Sequence, residues 1–377
     1  MTSRRLLILG VLALVAILAA FLLVNRHSAT PVSALPAALY PELKAQLDAV
    51  DAVRIYKAGD ARAVELLRTK DGWAVAERDG YSADAVKVRK LLLALAEAKP
   101  VEEKTSSAEH YAKLGVEDVS RPTATGVRLE LHGQKAPVNL IVGKPGNGPQ
   151  AMYVRRVGEP ASWLINETLD TSGTADAWLR KEIIDVSADR AQSAAVTVGD
   201  AKSYSAAKQR RADADFKVDA VPKGKELSSP AAANGVASAL TSLTLADVRS
   251  AKAFAAEKPT AHATLKTFDG LVVNADGWIK DGKHYVALKT AYDEALAKQF
   301  HVEAAPADKA DAKKPDAKSE APPAAPAPNI ADEASTANAK LAGWVYEVPE
   351  YKYEAIFKPL DELLKKDEKK ELKIGKQ

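Results

Sequence analysis

Cysteine is absent from the chain. Its absence removes a disulfide framework, thiolate-held metal, a thiol nucleophile and a cysteine-linked lipid. Aromatic residues are scarce at 6%, and 72 of the apolar residues are alanine, so any core is thin for its length. The six histidines (His27, His110, His132, His262, His284, His301) include no pair at helical ligand spacing. No His-Glu-x-x-His occurs and no Gly-x-Ser-x-Gly, so zincin chemistry and the nucleophile elbow have no support. No excess of one charge exists either: 53 Lys and Arg against 50 Asp and Glu leave +3, and only +1 without Arg4 and Arg5. Phosphate backbones require a concentrated positive field, so a nucleic-acid partner is not expected.

Near the start, an uncharged 19-residue run extends from Leu6 to Val24, after Arg4 and Arg5 and before Asn25, Arg26 and His27. At about 1.5 Å per residue it is long enough to span a bilayer core of about 30 Å. The run predicts a single transmembrane signal anchor, residues 1–27, with residues 28–377 outside the cytoplasm. A cleaved secretory signal is the alternative, with a weak small-x-small site at Val32-Ser33-Ala34.

Residues 28–49 read as a membrane-proximal linker with a short helix carrying Leu43, Leu47 and Val50. The pattern beyond predicts an α+β fold: two similar modules of antiparallel strands plus helices, near 50–186 and 192–375. In the first, strands fall at 53–56, 63–68, 73–76, 127–132, 138–142, 152–156 and 163–166. A helix follows a capping Ser82, and another carries Trp178, Leu179 and Ile183. In the second, strands at 194–198, 263–268, 271–275, 278–280 and 284–288 are punctuated by Asp269-Gly270, Asp276-Gly277 and Asp281-Gly282, and Ser229-Pro230 starts a helix to Leu243. A helix over 357–364 ends in exposed charge, with Asp361 to Lys365 at i,i+4. The repeat aligns Trp73 with Phe216, Tyr153 with Tyr285 and Trp163 with Trp344, all six expected to be mostly buried.

Residues 290–342 interrupt the second module. Thr290 and Asp293 suggest a capped helix to Phe300. Residues 303–339 hold six prolines and no aromatic residue, a composition that predicts disorder.

Trp73, Trp163, Trp178, Trp278 and Trp344 are the candidate binding or packing aromatics, with core packing expected and a sugar-stacking platform as the alternative. Gly143-Lys-Pro-Gly-Asn-Gly148 joins two predicted strands, which suits a wide hairpin loop and not a phosphate site. Asp213-Ala-Asp215 and Asn274-Ala-Asp276-Gly277 read as turn chemistry. Arg155-Arg156 and Arg210-Arg211 read as solvated charge. No catalytic, cofactor or metal residue is expected.

Several of these segments together resemble the bacterial domain-of-unknown-function 4340 family: Asp71-Gly-Trp-Ala-Val75, Tyr111-Ala-Lys-Leu-Gly115 with Pro122, Leu140-Ile-Val-Gly143, Met152-Tyr-Val-Arg155 and Ala177-Trp-Leu-Arg-Lys-Glu182. The family tends to carry Gly-Leu where this chain has Gly115-Val116, with a longer stretch before Pro122. The resemblance implies a non-catalytic, membrane-anchored accessory or scaffold subunit of an ABC-type envelope transport system related to gliding-motility exporters. Integral membrane transport proteins would be its partners. A periplasmic ligand-binding or cell-wall-glycan-binding module is the alternative.

Overall fold

A computed structural model describes residues 38–300 and 329–366. The run from Leu6 to Val24 lies outside the described residues, and among those that are described no helix is long and apolar enough to cross a membrane. A 3-10 helix, Leu43–Ala49, opens the described chain. It leads into β1 (Ala52–Lys57), β2 (Ala61–Thr69), β3 (Gly72–Val75), β4 (Tyr81–Ser82), α1 (Ala85–Glu97), β5 (Pro100–Thr105), α2 (Tyr111–Leu114), β6 (Val127–His132), β7 (Val138–Pro145), β8 (Met152–Arg156) and β9 (Ser162–Ile165). The chain continues with β10 (Glu182–Ile184), β11 (Ala191–Val198), β12 (Tyr204–Ala207), β13 (Lys217–Val218), α3 (Asn234–Ala237), β14 (Leu243–Thr244), β15 (Asp247–Ser250), β16 (Ala261–Thr267), β17 (Leu271–Lys280) and β18 (Lys283–Tyr292). Last come α4 (Glu294–Phe300), α5 (Ile330–Leu341), β19 (Trp344–Val348), α6 (Glu350–Ile356) and α7 (Leu360–Leu363). The fold is α+β with antiparallel sheets.

Two compact units interleave the chain: one takes residues up to Arg62 and Arg89–Thr171, the other Ala63–Val88 and the chain from Ser172 onward. In the first unit six strands follow the order β1-β6-β7-β8-β9-β5. In the second, six of the eight strands of its largest sheet follow β11-β16-β17-β18-β19-β15, the same order relative to the chain. Trp163 and Trp344 occupy the fifth strand of these two runs, Tyr153 and Tyr285 the fourth.

The first unit is locked by close backbone approach. Helix α2 stops at Gly115, which takes a left-handed φ of 71° that suits a residue without Cβ. The turn then lies flat on the neighbouring strands. A Cβ on Gly143 would sit 2.3 Å from the Leu114 carbonyl oxygen, and one on Gly126 only 2.1 Å from that of Gly115. Arg155 closes this knot from β8. Its Nε donates to the Val116 carbonyl at 2.8 Å, Nη2 to Asp118 at 2.6 Å and Nη1 to the Glu159 carbonyl at 3.1 Å. Its guanidinium lies 4.5 Å from the Tyr111 ring centroid. At 3% exposure Arg155 is a structural cation, a correction to the expected solvated charge.

Other expectations are corrected by tertiary contacts. Asp84, not Ser82, caps α1, its Oδ1 accepting the amides of Val86 and Lys87, each at 3.0 Å. The segment at Trp178 is a 3-10 turn, Ala175–Trp178, followed by strand β10 and not a helix. Between Ser229 and Leu243 only Asn234–Ala237 is α-helical. Asp276-Gly277 is not a turn, since β17 runs unbroken through it, with Asp276 paired to His262 across the ladder. Glycine is needed there because the Phe357 ring would lie 2.6 Å from a Cβ. Thr290 belongs to β18, and Asp293 caps α4 through the Leu296 amide at 3.0 Å. At the far end Lys365 pairs with Glu226 instead of Asp361, and Leu364 bridges Leu227.

The expected disorder of 303–339 fails over its last part. Residues 301–328 lie outside the described residues, but Ile330–Leu341 is helix α5, buried at Ala334 and Leu341. Thr290 fastens it, its hydroxyl donating to the Ala334 carbonyl at 2.7 Å and its amide to Asn338 at 3.2 Å. Replacing residues 303–339 by a short Gly-Ser linker should therefore lower the melting temperature, because it removes these anchors from β18. An unchanged transition in a thermal scan would show that the helix adds nothing to the fold.

Candidate functional site

The five tryptophans do not converge. Trp163 stands in β9 of the first unit, half-buried, and the other four belong to the second. Trp178 is fully buried, donates from Nε1 to the Ser172 carbonyl at 2.8 Å and carries the Lys87 ammonium 4.5 Å from its ring centroid. Trp278 packs with Phe254, Tyr285 and Val345, and its Nε1 donates to the Glu257 carbonyl at 3.1 Å. Trp344, next to Val345, faces the opposite side of β19 by strand alternation, where its ring meets Tyr81 edge-on at 5.0 Å. Trp73 is half-buried beside Arg68, whose guanidinium lies 5.7 Å from its ring centroid. Of the six residues aligned by the sequence repeat, Phe216 and Tyr285 are buried, while Trp73, Tyr153, Trp163 and Trp344 are only partly so.

Titratable groups are spread in the same way. His262 pairs with Asp276 at 2.7 Å on the exposed side of β16 and β17, His132 meets Arg54 at 3.3 Å, and His284 packs on Tyr353. Among the described residues no group of three His, Asp or Glu is placed to hold a metal ion. Gly143 to Pro145 end β7, and the hairpin connection to β8 that follows is closed by the Gly146 amide on the Ala151 carbonyl at 2.8 Å. Asp213 serves a turn, accepting the Arg210 amide at 2.9 Å.

Two concave regions stand out. In the first unit an apolar cavity of about 330 Å³ is lined by Tyr40, Pro41, Leu43, Ala136 and Val138. Burial pushes the Tyr40 phenol up to about 12 against the opposing Arg156 charge. It is therefore protonated at neutral pH and provides a hydroxyl, not a base. In the second unit a groove of about 440 Å³ lies between β10 and α5, with Glu182, Ile183 and Asp185 on one wall and Asp332, Glu333 and Thr336 on the other.

The second wall is held by an ion network that sequence reading missed. Arg190 donates to Asp269 at 2.8 Å and to Glu333 at 2.9 Å, tying α5 to the β16–β17 turn. Burial alone would raise the Asp269 carboxyl, but hydrogen bonds from Arg190 and Thr267 outweigh it and hold it below the usual range. Burial likewise opposes the charge of Arg190, and the Glu333 and Asp269 hydrogen bonds more than compensate. The partners stand 79 and 143 residues from Arg190, so local spacing carried no sign of them.

The family described as Domain of unknown function (DUF4340) matches residues 73–267. No curated protein and no solved structure matches the chain.

Two outcomes are expected. Trp178→Ala should cost about 3–5 kcal/mol in denaturant unfolding, and Trp73→Ala distinctly less, because only the first empties a sealed site; equal costs would contradict the burial difference. Because the folded-state pKa of Asp269 is depressed, its contribution is present above the unfolded value of about 3.9 and is lost as pH falls through the lower folded value. Asp269→Asn should reduce stability by about 1–3 kcal/mol at neutral pH, less than a fully buried pair because water reaches the carboxylates. The difference from the parent should shrink in urea melts at acidic pH, and a constant difference would remove Asp269 as its source.

Proposed function

Taking as premise that the chain belongs to the DUF4340 family, we propose that it is a non-catalytic, membrane-anchored accessory or scaffold subunit of an ABC-type envelope transport system. The observation that carries this reading is the 19-residue uncharged run from Leu6 to Val24 behind Arg4 and Arg5, ahead of a large polar body. A single helix there would fix the N-terminus in the cytoplasm of a bacterial inner membrane and leave everything after residue 27 in the periplasm.

What the family-resembling segments do in the fold supports a scaffold. Tyr111, Gly115, Gly143 and Arg155 are consumed in one structural knot, and Trp178 is sealed in the second unit. Residues used in this way are unavailable for substrate. The glycan-binding alternative needs an aromatic platform, and the five tryptophans are dispersed over separate packing sites. The matching strand order of the two runs further supports an origin by internal duplication, with β1 equivalent to β11 and β9 to β19.

Topology is the direct test of the anchor. A reporter that works only outside the cytoplasm, fused after Gln377, should be active, and the mature protein should retain Met1 or the residues next to it. Activity of a cytoplasm-only reporter at the same position would reverse the orientation, and a mature chain starting near residue 35 would replace the anchor by a cleaved signal.

A further inference from the structure

We propose that the β7–β8 hairpin carries a self-modification site, at which Asn147 converts to aspartate and isoaspartate by ring closure onto the Gly148 amide. The chain holds two Asn-Gly pairs, Asn147-Gly148 and Asn234-Gly235, and only the first is placed to react. Pairing of β7 with β8 ends at Pro145 and Met152, and the Gly146 amide on the Ala151 carbonyl closes the connection. Asn147, Gly148, Pro149 and Gln150 remain as its exposed tip. Among the described residues neither the Asn147 side chain nor the Gly148 amide makes a hydrogen bond, and Pro149 has no N–H to tighten the tip.

Glycine is what leaves the nucleophile accessible. With no Cβ, Gly148 shields its own nitrogen least, and its φ of 150° lies where side chains are rarely found. A Cβ there would meet only the Ala151 Cβ within contact range, at 3.5 Å, so the tip is open on that side of the reacting atoms.

The conversion needs only water. The Gly148 nitrogen gives its proton to solvent and bonds to the side-chain carbonyl carbon of Asn147. The bond from that carbon to the side-chain nitrogen breaks, and ammonia leaves with a proton taken from water. Water then adds to either carbonyl of the cyclic imide: opening at the side-chain carbonyl gives aspartate, and opening at the main-chain carbonyl gives isoaspartate. Either product carries a carboxylate and lowers the formal net charge of +3 by one. The isoaspartyl main chain is one carbon longer, and that carbon lies within the tip, so Val142 with Val154 and Pro145 with Met152 keep their register.

Asn234-Gly235 supplies the comparison inside the same molecule. Asn234 begins helix α3. Its Oδ1 accepts the Phe216 amide at 3.2 Å, and its Nδ2 donates to Asp215 at 2.8 Å. Both bonds would have to open, and the helical turn unwind, before a ring could close there. The site is independent of the membrane and transport reading.

The test incubates the full chain, in detergent micelles, in mildly alkaline buffer made with heavy-oxygen water. Asn147 and Asn234 are followed by peptide mapping with site-resolving fragmentation. In the folded protein Asn147 should take up the label, as separable aspartyl and isoaspartyl forms, about tenfold faster than Asn234, because only Asn234 must first break two hydrogen bonds. In urea, where both side chains are released, the two rates should converge. Asn147→Gln should abolish the conversion, since its longer side chain would have to close a larger ring, and should leave the melting temperature unchanged because the position is exposed. The rate comparison is made on the parent chain, so it stands whatever the variant does to folding. Conversion in the folded protein no faster at Asn147 than at Asn234, or conversion of Asn147 only in urea, overturns the site. Label in aspartate with no isoaspartate would mean direct hydrolysis of the side-chain amide and overturns the ring closure.

Discussion

Antiparallel pairing is the constraint on which this architecture depends, because many of the side chains in it are too small to define the sheets by themselves. Ala194, Ala206, Ala263 and Ala275 are all buried on neighbouring strands of the second unit. An alanine removes little apolar area from water, so position there is set by the continuous ladder from β11 through β18. The larger side chains are concentrated where they anchor that ladder, as with Phe254, Trp278, Tyr285 and Val345. Glycine completes the logic, since strands and turns with so little side chain between them can approach until backbones touch, as at Gly126 and Gly143.

Local chemistry made the ladder readable. Alternating apolar residues placed most strands, and Asp269-Gly270 and Asp281-Gly282 mark real turns between β16, β17 and β18. The same dipeptide at Asp276-Gly277 misled because its glycine answers to a ring from Phe357, distant in sequence, and not to a turn. Helix α5 was hidden for a related reason. Its alanine-rich composition offers little apolar area, and what fixes it is a set of bonds to Thr290 and Arg190 that composition cannot display. The arginines were the least legible feature. Arg155 beside Arg156 has the local sequence of an exposed patch, yet its partners at Val116 and Asp118 take it out of water.

These features bear on function through what they leave available. In the first unit the buried cation and the close glycines stabilise a fixed body, and the Tyr40 hydroxyl is turned to the Asn139 carbonyl. In the second unit the Arg190 network holds α5 at a distance from β10, so the groove between them depends on the same carboxylates that stabilise the helix. A run long enough to cross a bilayer suits the proposed place of the protein at a membrane.

Affinity isolation of the full chain from gently solubilised membranes, with quantitative mass spectrometry of what accompanies it, tests the proposed place of this protein in a transport assembly. Enrichment of the membrane-spanning and ATP-binding subunits of one ABC-type transporter, in constant ratio to the chain, is the expected result. Recovery of the chain alone under conditions that keep other transporters intact would contradict it.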